Sequence, residues 1–314
     1  MTENQSSSPH SWSKGPDRVI ELTAGSIEPA ARPLFEQFTR LLFARLASVR
    51  TIVLPDETLA AIARDTFHLF ERRSPGPASI SIGKAKLPPE GARDATARVP
   101  HELCVLTIIN DDKPFLVSSI MGEIQARGLT TFLVLHPVCV VRRDQTHRLT
   151  GLDQETPPAP QGHGEGGVGE SIILVVTEPL DDSGAQDLQK SLRAILDQVD
   201  IAVRDWQPMI ERLDRAIAVL DGQSGGEHAG LIAETVAFCR WMRQGQFVFL
   251  GMREYRIDGE PESGALRVIE GSGLGVLANP DIHVLRRGRV LVSLNDEIRR
   301  FYLKPAPIII TKSN

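Results

Sequence analysis

The hydrophobic positions between Leu103 and Arg143 change period within a single stretch. Leu103 to Ile109 is an almost unbroken apolar run rich in β-branched residues, the pattern of a strand covered on at least one face. Asn110, Asp111 and Asp112 stop it, because their side chains bond to nearby backbone amides and favour turns and caps. Pro114 follows at a predicted first-turn helix position, where its missing N–H costs nothing. Leu116, Ile120 and Ile124 then recur at intervals of four and mark one buried helix face, which Gly128 closes. Thr130 to Val141 is a second β-branched and aromatic run, and Ser171 to Thr177 a third strand. Gln186 to Val199 is a second amphipathic helix, with Leu188, Leu192, Ile195, Leu196 and Val199 on one stripe. This strand–helix–strand–strand–helix order predicts a ferredoxin-like split unit that lacks only a clear final strand.

The same patterning organises the rest of the chain. Pro33–Val49 and Asp56–Arg72 are predicted amphipathic helices forming a helical hairpin, with Arg72 and Arg73 placed to meet the negative end of the second helix dipole. A short strand over Ala78–Ile82 interrupts a proline- and glycine-rich linker at 74–100. The segment 145–169 is so poor in apolar residues that it predicts a mobile loop. Further helices are predicted through Trp206, Met209, Leu213, Ile217 and Leu220, and over Leu231–Arg243, with a turn at Asp221–Gly230 as a candidate boundary. A β-rich piece follows at Phe247–Ile257, Ala265–Ile269, Val276–Leu277 and Val290–Ser293, and Pro307–Thr311 is a last apolar run close to Asn314, which suggests truncation. The predicted fold class is α+β. Its parts are a disordered lead-in at 1–29, the helical hairpin and linker at 30–100, the ferredoxin-like domain at 101–205, connecting helices at 206–245 and a β-rich domain at 246–314.

Composition narrows the function classes. With 41% hydrophobic and 24% charged residues, the chain has ordinary globular usage. A net charge of −5 and a pI near 5.9 give no electrostatic reason to expect nucleic acid or an anionic membrane. No apolar run reaches the roughly 18 residues of a membrane span. The N-terminus lacks the apolar centre of a signal peptide, and three widely spaced cysteines fit neither a disulfide framework nor a metal knuckle, so a cytoplasmic location is expected.

The sharpest candidate for chemistry is Asn110-Asp111-Asp112-Lys113-Pro114. A strand-to-helix junction leaves helix N–H groups unsatisfied, and with the helix dipole these favour a carboxylate, while an Asp side chain takes an ammonium group. An amino-acid effector fits that pattern. Capping and turn closure account for the same residue types without any ligand. His136-Pro137 marks an edge strand or bulge, with His136 read as a hydrogen-bonded structural residue. The cluster Gly271-Ser272-Gly273-Leu274-Gly275 lacks the glycine and helix of a dinucleotide fingerprint and reads as a tight turn, and Arg286, Arg287 and Arg289 as a solvated turn. No catalytic, cofactor or metal constellation is predicted.

NDDKPFLVSSIMGEIQARGL, the His-Pro strand LVLHPVCVVRRD, ESIILVV, CRWMRQGQFVFLGMREYRI, GSGLGVL and PAPIIITKSN, in this order, resemble the N-terminal region of the large bacterial NAD-dependent glutamate dehydrogenases. The resemblance implies a regulatory and scaffolding segment with an ACT-like domain from Leu103 to about residue 203 and a PAS-like domain from Phe247. NAD and the oxidative deamination of glutamate belong to the parent enzyme, and no catalytic position is carried over to this chain. Other domains and subunits of that enzyme, in a homo-oligomer, are the implied partners. Effector-binding ACT domains resemble Asp-x-Pro-Gly-Leu at the strand–helix turn, whereas Phe115 stands here after Pro114.

Overall fold

A computed structural model describes residues 15–46, 54–87, 100–153, 168–223, 228–258, 265–280 and 291–293, and the chain divides into two compact units, Met1–Leu196 and Asp197–Asn314. The expectations for 88–99, 154–167, 286–289 and 307–311 lie outside the described residues.

The first unit is built on a six-stranded antiparallel sheet. Its central pair is β2 (Glu102–Asp111) and β6 (Val168–Thr177), in register from Cys104 opposite Thr177 to Asp111 opposite Glu170. β1 (Ser79–Lys86) flanks β2, while β3 (Thr131–Leu135) and β4 (Val138–Arg143) both run along β6 and β5 (Leu149–Asp153) lies beyond β4. Side chains alternate across such a sheet. Leu103, Ile109, Ile172, Leu174 and Val176 join one core cluster, and Leu106, Ile108, Ile173 and Val175 are as deeply buried on the opposite face.

Helices α1 (Pro16–Thr23), α2 (Arg32–Phe43) and α3 (Asp56–Glu71) supply the cover for the first face. Their buried aromatic residues interlock, with Phe35 edge-on to Phe67 at 5.2 Å and Phe38 against Phe70 at 5.2 Å. α4 (Leu116–Ala126) and α5 (Asp182–Arg204) carry the stripes Leu116, Ile120, Ile124 and Leu188, Leu192, Leu196, all buried. α5 also blunts the sheet edge at β1. Gln189 donates to Ile80 O at 3.1 Å and Asp182 pairs with Lys84 at 3.0 Å, so the edge is occupied by side chains.

Several expectations are revised. The missing last strand of the ferredoxin-like order is supplied from the N-terminal side, because β1 takes the slot beside β2. The predicted disordered lead-in contains α1, whose Val19 and Thr23 are buried. A two-turn helix among polar residues gives too short a period to detect. The predicted loop at 145–169 includes β5, in which Leu149, Gly151 and Leu152 are buried against β4 although the surrounding composition is polar. The run Thr130–Val141 is split into β3 and β4 at His136-Pro137. Leu135 opposite Leu174 and Val138 opposite Ser171 keep one register across the break, so Pro137 interrupts pairing without shifting it.

The second unit contains α6 (Trp206–Asp221) and α7 (Ala229–Trp241), which pack Leu213, Ile217 and Val236 together. Short strands β7 (Gly251–Met252) and β10 (Leu274–Gly275) form one sheet, and β8 (Tyr255–Asp258), β9 (Ala265–Val268) and β11 (Leu291–Ser293) another. Val276–Leu277, predicted as strand, is a single 3-10 turn. The glycine cluster turns at Glu270-Gly271, but Leu274 and Gly275, expected in the same turn, form β10. Gly275 has φ 58°, and a Cβ there would stand 2.2 Å from Leu250 O. Asp205 and Arg212 tie this turn to α6, through Gly275 N–H to Asp205 Oδ2 at 2.8 Å and a bond from Arg212 to Ser272 O. Among the described residues no helix is long and apolar enough to cross a membrane.

Candidate functional site

At one end of the first unit's sheet, the ends of β2, β4 and β6 meet the segment leaving α3. Parity along β6 places Glu170 on the face of Ile172 and Leu174, and parity along β4 places Arg143 with Cys139 and Val141. Both charges are thereby forced inward. Glu170 is 2% exposed and Arg73 3%. Arg143 grips Glu170 as a fork, Nε to Oε1 at 3.0 Å and Nη2 to Oε2 at 2.8 Å. Arg73 Nη1 donates to Glu170 Oε1 at 3.0 Å and to Asp111 Oδ1 at 2.7 Å, and its Nη2 to Asn110 Oδ1 at 3.4 Å. Two guanidinium groups thus face two carboxylates, the balance that buried charges require.

Arg143 also serves helix α3. Its Nη2 donates to Phe70 O at 2.9 Å and its Nη1 to Glu71 O at 3.3 Å and His147 O at 3.1 Å. The expectation that Arg72 and Arg73 meet the α3 dipole is therefore corrected for Arg73: its side chain turns inward to the acids, and the last helical carbonyls are met by an arginine from a distant strand.

The predicted effector residues separate into two groups. Asn110 and Asp111 turn to Arg73, while Asp112 Oδ1 accepts from Ser171 Oγ at 2.6 Å, and Ser171 in turn lies 3.1 Å from His136 Nε2. Lys113 and Pro114 lead into the turn before α4. Two details differ from the expectation. Pro114 precedes the helix and is not within its first turn, and the N-cap is Phe115, with no side-chain cap bond. Asn110, Asp111 and Asp112 therefore do not cap α4. Phe115 holds φ 72°, the left-handed region that favours glycine, with 38% of its surface exposed. His136 is hydrogen-bonded, as its structural reading anticipates. The relay His136–Ser171–Asp112 escapes sequence reasoning because its members lie 35 and 59 residues apart.

Beside the ionic network lies an open cleft of about 570 Å³, lined by Arg73, Asp111, Arg143, Asp144, His147 and Glu170 among others. Two buried donors of the network have no partner, Arg73 Nε and Asn110 Nδ2. Nearby Cys139 is buried, and burial pushes its thiol up to about 12, which disfavours the thiolate. Arg73, Arg143 and Glu170 were not predicted as site residues. The usable signal was a charge at a strand end in step with buried positions, as in Glu170-Ser171-Ile172 and Val141-Arg142-Arg143.

Comparison with known proteins bears on the same unit. The family model described as "Glutamate dehydrogenase, ACT1 domain" matches residues 38–192, from within α2 to within α5. The NAD-specific glutamate dehydrogenase of Halomonas elongata is 29% identical over 174 residues, 54% of this chain and 10% of that protein. That of Pseudomonas aeruginosa is 25% identical over 185 residues, 56% of this chain and 11% of its own length. The chain thus matches about a tenth of the length of these relatives. With an ACT1 match over the sheet and the helices on both its faces, the first unit is similar to the ACT1 domain of the NAD-specific glutamate dehydrogenases.

Proposed function

We propose that this chain is a regulatory and assembly segment of a large NAD-dependent glutamate dehydrogenase, with the glutamate-oxidising machinery and its NAD site elsewhere in the polypeptide. The observation that carries this reading is the internal pairing of the ionic cluster: Arg73, Arg143 and Glu170 already hold one another and the end of α3, which suits holding elements in place and not turning over a substrate. The relatives' printed name supports the parent reaction, and the ACT1 match supports the regulatory role.

In this reading the first unit docks against other domains or subunits of a cytoplasmic homo-oligomer, and the second is PAS-like. An amino-acid effector bound at Asn110, Asp111, Asp112, Lys113 and Pro114 would set its carboxylate on the uncapped N–H groups of α4. It would favour one subunit arrangement over another. Phe115 supports the rival structural reading, because a bulky side chain stands at the N-cap of α4, where effector-binding ACT domains resemble glycine.

Excising the segment equivalent to 38–192 from a full-length relative tests the proposal. The expected result is altered subunit mass on sedimentation or an altered response to added amino acids, with glutamate-dependent NAD reduction still measurable. Unchanged assembly together with an unchanged response would overturn it. Calorimetric titration of the 314-residue chain with glutamate, aspartate and branched-chain amino acids tests the effector, and silence across that panel leaves only the assembly role.

A further inference from the structure

We infer that the cleft beside Arg73 takes a small carboxylate-bearing ligand, and that Asp111 is an internal stand-in for it. The two acids on Arg73 are held very differently. The Glu170 side chain is 3% exposed and gripped by two arginines, so it cannot leave without stranding both. The Asp111 side chain is 39% exposed, lines the cleft, and reaches Arg73 through Oδ1 alone. A carboxylate arriving from solvent therefore competes with Asp111 and leaves Glu170 in place.

The leftover donors give the incoming group its advantage. Arg73 Nε and Asn110 Nδ2 are buried and unpartnered around the same guanidinium. A buried donor left unmet is destabilising, so a ligand that meets it gains. Asp111, tethered in β2 opposite Glu170, reaches only Nη1. A free carboxylate has two oxygens and no tether, and once Asp111 swings out it can approach the guanidinium along its Nε edge. The cleft of about 570 Å³ has room for a small acid. Because Asp111 immediately precedes the turn at 112–115, its displacement is felt where α4 begins.

This inference rests on the effector reading only in sharing Asp111, and the two are separable by where a ligand is felt. Acetate, propionate and glutarate titrated into the 314-residue chain, followed by NMR, should shift the Arg73 Nε–H and the His147 resonances, whereas chloride and methylammonium should not. A ligand on the α4 amides would instead shift Leu116, Val117 and Ser118. Asp111→Asn removes the charge of the internal competitor and should tighten acetate binding about tenfold. Arg73→Lys, which keeps the charge but loses the fork, should weaken it by a similar factor. The gain in Asp111→Asn cannot arise from misfolding, so it decides the matter even if Arg73→Lys does not fold. Equal acetate affinity in wild type and Asp111→Asn, or a response to chloride equal to that for acetate, overturns the inference.

Discussion

Arg143 is joined to Phe70 twice: its Nη2 donates to the Phe70 carbonyl at 2.9 Å, and its guanidinium carbon stands 5.3 Å from the centre of the Phe70 ring. One side chain from β4 thus ends helix α3, neutralises Glu170 and covers an aromatic residue of the core. Arg143→Leu leaves Glu170 with Arg73 as its remaining cation, and urea unfolding should show a loss of about 3–5 kcal/mol. Glu170→Leu should cost a similar amount, because Arg143 then loses its acid in the network and Arg73 keeps only the half-exposed Asp111. The double variant Arg143→Leu, Glu170→Leu keeps Arg73 balanced by Asp111 and should recover more than half of the summed loss. Strict additivity of the two single losses would refute the network description.

Phe115 stands where the backbone prefers glycine. For an L-residue the left-handed conformation costs about 1–2 kcal/mol. Comparing Phe115→Gly with Phe115→Ala separates this strain from lost side-chain contacts, since both remove the ring. The glycine variant should unfold at the higher urea concentration, by about 1 kcal/mol of stability. Equal midpoints would mean the positive φ carries no strain.

Much of the first unit's sheet was readable from residue pattern, because β2, β6 and the stripes of α4 and α5 carry their burial in local sequence. Leu103–Ile109 and Leu116, Ile120, Ile124 lie where their periodicity places them. What escaped depends on partners remote in sequence. β5 earns its burial only from β4, and Arg73 looks like a helix-end cation until Asp111 and Glu170, 38 and 97 residues away, are brought beside it. Asn110–Asp112 were expected to stop the strand at Ile109, but Asn110 and Asp111 belong to β2, paired with Ser171 and Glu170, and the direction each side chain takes follows from sheet parity.

Gly275 tests the second unit. Its φ of 58° and the 2.2 Å approach of Leu250 O to a Cβ mean that alanine must distort both the turn and the adjoining strand. The Asp205 bond to the Gly275 N–H would be lost with it. Gly275→Ala should destabilise this unit by about 2–3 kcal/mol, read from the fluorescence of Trp206 and Trp241 during urea unfolding. Gly271→Ala is the control. Its added Cβ meets nothing within 4 Å and only its φ of 71° opposes the change, so its loss should be smaller.

His136 makes stability depend on pH. Packing around the ring pushes its pKa below the ordinary imidazole value, and the Asp112 carboxylate opposes that shift without cancelling it. In the unfolded chain the imidazole takes its proton near pH 6.5, before the folded protein does. The unfolded state therefore binds more protons in this window, and stability must fall as pH drops from above the ordinary imidazole value toward the lowered folded one. Ser171 transmits the change, because its hydroxyl donates to Asp112 while its oxygen faces His136 Nε2. Urea midpoints measured from pH 7.5 to pH 5 should decline in wild type and decline less in His136→Gln, which keeps a hydrogen-bonding side chain but cannot titrate. Parallel declines in the two proteins would assign the pH response to other groups.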